Sequence, residues 1–203
     1  HGMTVGEYAQ MLNGEGWLKN KVKVNLKVVT CDKYDHSMLY DLPVAPSPNL
    51  RSKQAILMYP SLCFFEGTEV SVGRGTPYPF EVWGHPEYKN KKYSFMPKPG
   101  AGSKNPRYKF KRCNGISYHW TVPEILKLLH GKLNINILKT AYSSSKRTDK
   151  FFTPFFEKLT GTAELRKQIL AKKSVAEIRA SWEPELSTFK KIRKKYLLYT
   201  DFE

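Results

Sequence analysis

Residues able to do chemistry crowd into one short stretch. It reads Cys63-Phe-Phe-Glu66-Gly67-Thr68, then Ser71-Val-Gly73-Arg74-Gly75-Thr76, then Pro79-Phe80-Glu81. The carboxylates of Glu66 and Glu81, the guanidinium of Arg74 and the hydroxyls of Thr68, Ser71 and Thr76 thus share a loop with three glycines. Glycines let backbone and short polar side chains come close to a ligand. Arginine offers a planar fork of donors that suits a carboxylate or vicinal oxygens. Sugars need this mixture of donors and acceptors, together with an apolar face. In the competing reading the loop satisfies itself, Arg74 pairing with Glu66 or Glu81 while the glycines only turn the chain.

Other chemistries find little support. Gly73-Arg74-Gly75-Thr76 lacks the glycine spacing and the Gly-Lys-Ser/Thr ending of a phosphate-binding loop. The histidines, at positions 1, 36, 85, 119 and 130, form no ligand-spaced pair, so neither a metal nor a cofactor is expected. His119, between Tyr118 and Trp120, reads as a structural histidine. No serine sits in a Gly-x-Ser-x-Gly elbow, and Cys63 has no base nearby in sequence. Cys31, Cys63 and Cys113 are widely spaced and read as free thiols rather than a disulfide framework. From Lys89 to Arg112 there are nine Lys or Arg and no acid, with Tyr93, Phe95, Tyr108 and Phe110 interleaved. Single strands of nucleic acid bind to such a pattern, but no nucleic-acid-binding signature accompanies it. A solvated basic surface is the simpler reading, without specific nucleic-acid affinity.

These residues sit in a chain of 203 residues, enough to bury a core without staples. Its net charge of +16, from 34 Lys+Arg against 18 Asp+Glu, favours polyanionic partners such as nucleic acid, wall polymer or a lipid head-group surface. No apolar run approaches the length of a membrane span, and no signal peptide is visible. His1-Gly2-Met3-Thr4 runs straight into a helix, unlike a natural beginning.

The elements that must hold the loop follow from pattern. Thr4 and Glu7 have capping-box spacing and start a helix to about Asn13. Val22, Val24, Leu26 and Val28 alternate with polar residues, which predicts a half-buried strand. The prolines of 43–49 force a stiff extended loop. Ser52 caps a short helix that stops before Pro60. A short strand is predicted over Phe80–Trp83, and a hairpin of Arg107–Arg112 and Gly115–Thr121 turns at Asn114-Gly115. Thr121 and Glu124, then Ser174 and Glu177, open helices. Trp182, Leu186, Phe189, Ile192, Tyr196 and Leu197 recur at helical steps as core contacts. The expected class is α+β: a small mixed sheet with packed helices and a helical C-terminal end, with an α+β part over 1–120 and a mainly helical part over 121–203.

The sequence resembles the NamZ/YbbC-like exo-β-N-acetylmuramidases. The resemblance rests on His1-Gly-Met-Thr-Val-Gly-Glu7, Pro46-Ser-Pro-Asn49, Tyr59-Pro60, the run from Cys63 to Glu81 followed by Gly84, and the C-terminal Gly161-Thr162, Leu165-Arg166, Ile178, Trp182, Phe189 and Arg193 to Tyr199. One departure is Gly84-His85-Pro86-Glu87, where the family pattern suggests Gly-Ala-Pro-Trp.

The resemblance implies a C-terminal domain over 1–203 that normally follows a Rossmann-like domain absent from this chain. It implies removal of terminal N-acetylmuramic acid from peptidoglycan, with this chain forming one wall of the cleft. That N-terminal domain would be a required partner, and the isolated chain would be inactive because the main catalytic carboxylate lies outside it. Glycoside hydrolysis generally uses two carboxyl groups, and Glu66 and Glu81 are the candidates here. Asn49, Tyr59, Thr68, Ser71, Arg74 and Thr76 are the candidate sugar-binding residues. The expected setting is bacterial, periplasmic or secreted. The alternative is a non-enzymatic module that binds cell-wall glycan or an anionic polymer.

Overall fold

The computed structural model describes residues 2–89 and 91–202; His1 and, within the basic stretch, Asn90 lie outside them. The chain folds as two compact units, one of residues 1–40 with 176–203 and one of residues 41–175.

In the first unit, α1 (Val5–Gly14) begins with the capping box its sequence predicts: Thr4 N donates to Glu7 Oε2 at 2.7 Å and Glu7 N to Thr4 Oγ1 at 3.3 Å. Glu7 is wholly buried and also accepts from Leu198 N at 2.8 Å, beside His36 at 3.0 Å. Burial pushes its carboxyl up, but the Leu198 and Thr4 N–H groups with His36 outweigh burial and hold it below the ordinary glutamate range. Near the end of α7 (Val175–Lys194), Arg193 grips Asp201 with two hydrogen bonds, of 2.6 and 2.8 Å, and donates to Gly2 O at 2.6 Å. This ties the start of the unit to its end.

Two expectations fail in this unit. Val22 to Val28 form no strand: Val22 is 55% exposed and Val24 52%. Backbone pairing at Val24 is taken instead by the Asn13 amide, which donates to Val24 O and accepts from Val24 N, both at 2.9 Å. On α7, Ile178 is buried, whereas Trp182, Phe189 and Ile192 are only half-buried and Leu186 is exposed. The apolar stripe is therefore only partly buried.

The second unit holds α2 (Lys53–Leu62), the strands β1 (Val82–His85), β2 (Tyr93–Phe95) and β3 (Cys113–Ser117), then α3 (Val122–Leu129), α4 (Ile135–Ser144), α5 (Phe155–Thr160) and α6 (Glu164–Leu170). The strands form an antiparallel sheet in the order β1-β3-β2, not the mixed sheet expected. Asn114-Gly115 lies inside the central strand rather than in a turn. Gly115 faces Gly84, and a Cβ on Gly115 would come within 1.9 Å of Trp83 O, so close strand approach rather than turning demands the glycine. The expected partner strand at Arg107–Arg112 is turned instead, with Tyr108 and Phe110 in left-handed conformation. Helix α2 runs through Pro60 and leads directly into a 3₁₀ turn, Cys63–Gly67. Ser52 caps α2 by accepting from Ala55 N at 3.0 Å, as its sequence predicts. At the start of α3, Glu124 accepts from Thr121 N at 2.8 Å.

Phe65, Phe80, Trp83, Phe151 and Phe156 are fully buried with Met58, Leu62, Ile125 and Leu138. Burying each such side chain is worth roughly 1.5–3 kcal/mol. The 3₁₀ turn presses on α5 so closely that a Cβ on Gly67 would lie 2.4 Å from Phe156 Cα. Glu69 N donates to Phe151 O and Thr153 N to Gly67 O, both at 2.9 Å. The glycine-bearing loop is thus pinned between β1, through Ser71 N and Gly84 O, and the segment before α5. Among the described residues no helix is long and apolar enough to cross a membrane.

Candidate active site

The 3₁₀ turn delivers Glu66, and the turn at Gly73 and Gly75 (φ +76° and +80°) delivers Arg74 to meet it. Arg74 Nη2 donates to Glu66 Oε1 at 2.6 Å. The guanidinium lies 5.2 Å from the centre of the Phe80 ring, and Tyr59 packs edge-on against the same ring at 4.9 Å. Phe80 adopts φ +61°, a conformation costly for a bulky residue and one that gathers at functional sites. Arg74 and Glu66 remain 36% and 22% exposed, and Tyr59 is 37% exposed. Burial raises the Tyr59 phenol above its ordinary range. Arg74 Nε is buried without a hydrogen-bond partner. A guanidinium, a partly exposed carboxylate and a phenol therefore meet on one patch, over the buried Phe80 ring.

Glu81 goes elsewhere. It is buried, accepts from Ser52 Oγ at 2.5 Å and sits 3.0 Å from His119 Nδ1. The loop brings Glu66 to Arg74, whereas Glu81 is held by Ser52 and His119 instead.

The remaining candidates divide by accessibility. Thr68 is fully buried, donating to Phe65 O at 2.9 Å and accepting from Val70 N at 3.1 Å. Ser71 is buried and accepts from Gly73 N at 3.3 Å. Asn49 is buried and donates to Gly102 O at 2.7 Å. These three brace the backbone that shapes the loop. Thr76 donates to Gly73 O at 2.7 Å and also lines an open pocket of about 260 Å³ with Arg51, Gly75 and Lys98.

Sequence reasoning passed over Glu69 and discounted His119. Glu69 is buried, accepts from Ser145 Oγ at 2.5 Å and lies 3.8 Å from His85. Burial holds the His85 imidazole below its ordinary range despite that carboxylate. Ser145 is 76 residues from Glu69, and His119 is 38 from Glu81. No local spacing links either pair; the β1–β3 register brings Glu81 near His119, and Ser145 reaches Glu69 from the end of α4. Among the described residues no cluster of three or more His, Cys, Asp or Glu is arranged to hold a metal.

The chain matches known proteins along its length. Residues 57–199 match the family model described as exo-beta-N-acetylmuramidase NamZ, C-terminal, which takes in Tyr59, Glu66, Arg74 and Glu81. Residues 1–54 match the corresponding N-terminal model. A peptidoglycan beta-N-acetylmuramidase NamZ of Bacillus subtilis (strain 168) is 33% identical over 98% of this chain and 50% of its own length. A crystal structure of a DUF1343 family protein from Bacteroides fragilis NCTC 9343 superposes with a TM-score of 0.93 at 46% identity, over 99% of this chain and 56% of that one. A second such protein of that organism, at 20% identity and a TM-score of 0.70 over 98% of this chain and 56% of its own, shares the fold. The chain thus spans about half the length of these relatives.

The N-terminal match corrects the reading of the chain as a C-terminal portion only. Residues of the family's N-terminal domain are present here, in the segment holding α1 and the proline loop. That domain is therefore not wholly absent from the fold, nor is it simply an outside partner, and inactivity for want of it does not follow. On the match of both family models, the chain belongs to the NamZ exo-β-N-acetylmuramidase family.

Proposed function

We propose that the chain acts as a glycoside hydrolase on the N-acetylmuramic acid end of peptidoglycan glycans, with the patch of Glu66, Arg74 and Tyr59, floored by the buried Phe80, in its sugar site. The observation that carries this reading is Arg74 held by Glu66 at 2.6 Å over a phenylalanine at φ +61°. Loop closure alone does not require a strained aromatic beneath a partly exposed guanidinium. N-acetylmuramic acid differs from N-acetylglucosamine by a lactyl carboxylate. A guanidinium carries five donors and Glu66 takes one, so Arg74 can grip that carboxylate as well. Tyr59, backed by the buried Phe80 ring, supplies the apolar side. Glu66, the more accessible of the two candidate carboxylates, would serve the reaction, while Glu81 is buried against Ser52 and His119. Such a substrate fits an exported protein.

The experiment is turnover of a chromogenic N-acetylmuramic acid glycoside by the purified chain, with the N-acetylglucosamine glycoside as comparison. The muraminide should be preferred, and Glu66→Gln should lower kcat/KM by roughly 100-fold or more, the scale of a lost acid–base group. Binding of the muraminide without turnover would favour the non-enzymatic glycan-binding module. Absence of both binding and turnover would refute the assignment.

A further inference from the structure

The pair of Glu81 and His119 is built as the surroundings of an exposed structural histidine are not. Both carboxylate oxygens of Glu81 are engaged, Oε1 by Ser52 Oγ at 2.5 Å and Oε2 by His119 Nδ1 at 3.0 Å. The β1–β3 register, Val82 opposite Ser117, puts the two residues at the same end of the sheet, and Tyr118 N donates to Glu81 O at 2.6 Å. The Tyr78 ring packs against the imidazole, with 4.2 Å between centroids. Yet the His119 side chain is 56% exposed while that of Glu81 is 5% exposed. Since Nδ1 faces inward, the exposed edge is the one bearing Nε2.

Burying a carboxylate is costly unless it is well partnered, and a neutral amide could brace Ser52 and His119 equally well. What a carboxylate adds is control of the imidazole: by accepting from Nδ1–H it fixes the tautomer and leaves Nε2 as an outward-facing acceptor. We infer that His119 Nε2 accepts a hydrogen bond from a hydroxyl of the bound sugar, with Glu81 as its positioning residue and Tyr78 as a supporting face. The ligand class rests on the function proposed above; the geometry of the pair does not. It also gives Glu81 a role through another residue rather than as a second carboxylate in direct contact with the glycosidic bond.

The test is long-range ¹H–¹⁵N correlation of the His119 imidazole in the labelled chain, with methyl N-acetylmuraminide as the probe. The free chain should show Nδ1 protonated, and the Nε2 resonance should move when the probe binds. His119→Asn keeps an amide donor toward Glu81 but has no group at the Nε2 position. It should melt like the parent and bind the probe about tenfold more weakly, the scale of one hydrogen bond. Glu81→Gln should mix the two tautomers. If the Nε2 resonance stays still and His119→Asn binds like the parent, while Arg74→Lys weakens binding, His119 is only a surface brace and the proposed function survives. If the parent binds no probe at all, that function falls and this inference falls with it.

Discussion

Arg74 and Glu66 meet at 2.6 Å across a turn of eight residues, and neither is buried. A salt bridge between partly exposed groups adds little stability, about 0–1 kcal/mol. A structural purpose alone therefore explains poorly why the chain holds Phe80 at φ +61° beneath that guanidinium. The pair makes better sense as a prearranged surface for a charged ligand.

The sheet should tolerate no side chain at Gly115. A Cβ there would meet the Trp83 carbonyl oxygen at 1.9 Å, and that oxygen is backbone. Gly115→Ala should cost about 3 kcal/mol in urea denaturation. Gly100→Ala, where nothing lies within 4 Å, should stay within about 0.5 kcal/mol of the parent. Equal stability for both variants would contradict the packing described here.

Thiol reactivity should separate the cysteines. Cys31 is exposed, whereas burial pushes the Cys63 thiol up to about 11 and the Cys113 thiol up to about 12. The thiolate is the reactive form. In a thiol-reagent titration near pH 7, Cys31 should react quickly and the other two only after denaturation. Rapid labelling of all three would be the contrary result.

Acid should weaken the closure of the first unit. The Arg193 hydrogen bonds hold the Asp201 carboxyl at about 2. A carboxyl depressed on folding contributes stability above its unfolded pKa, near 3.9, and loses it as pH falls through the folded value. Asp201→Asn should therefore be less stable than the parent at neutral pH, with the difference shrinking from about pH 4 down to about pH 2. A difference that stays constant with pH would show that Asp201 stabilises through its shape rather than its charge.

The final long helix provides a packing contrast. Ile178 is fully buried and Phe189 only half-buried. Ile178→Ala should cost about 2–5 kcal/mol, and Phe189→Ala distinctly less despite its larger side chain. Thermal melts of the two variants would decide it, and the reverse order would mean that α7 packs through its aromatic stripe after all.

What could be read in the sequence was local. The boxes at Thr4–Glu7 and Thr121–Glu124, the cap at Ser52 and the meeting of Arg74 with Glu66 all join residues within one turn or one loop. What could not be read depends on partners distant in sequence. Val22–Val28 has the alternation of a strand, but alternation does not say what pairs with it. Asn114-Gly115 has the chemistry of a turn, but only the closeness of Trp83 reveals why a glycine stands there. The pairing of His119 with Glu81 joins residues 38 apart, which no local pattern marks.

Recognition by Arg74 of the acid that makes muramic acid distinct is the core of the proposed sugar site. It is tested most directly by calorimetric titration of methyl N-acetylmuraminide and methyl N-acetylglucosaminide into the parent chain and into Arg74→Lys. Lysine keeps the charge and loses the fork. The parent should prefer the muraminide, Arg74→Lys should reduce this preference about tenfold, the scale of a charge-assisted hydrogen bond, and the variant's melting temperature should stay close to the parent's. If Arg74→Lys instead melts far below the parent and keeps the full preference, Arg74 is a clamp on Glu66 and the sugar site lies elsewhere.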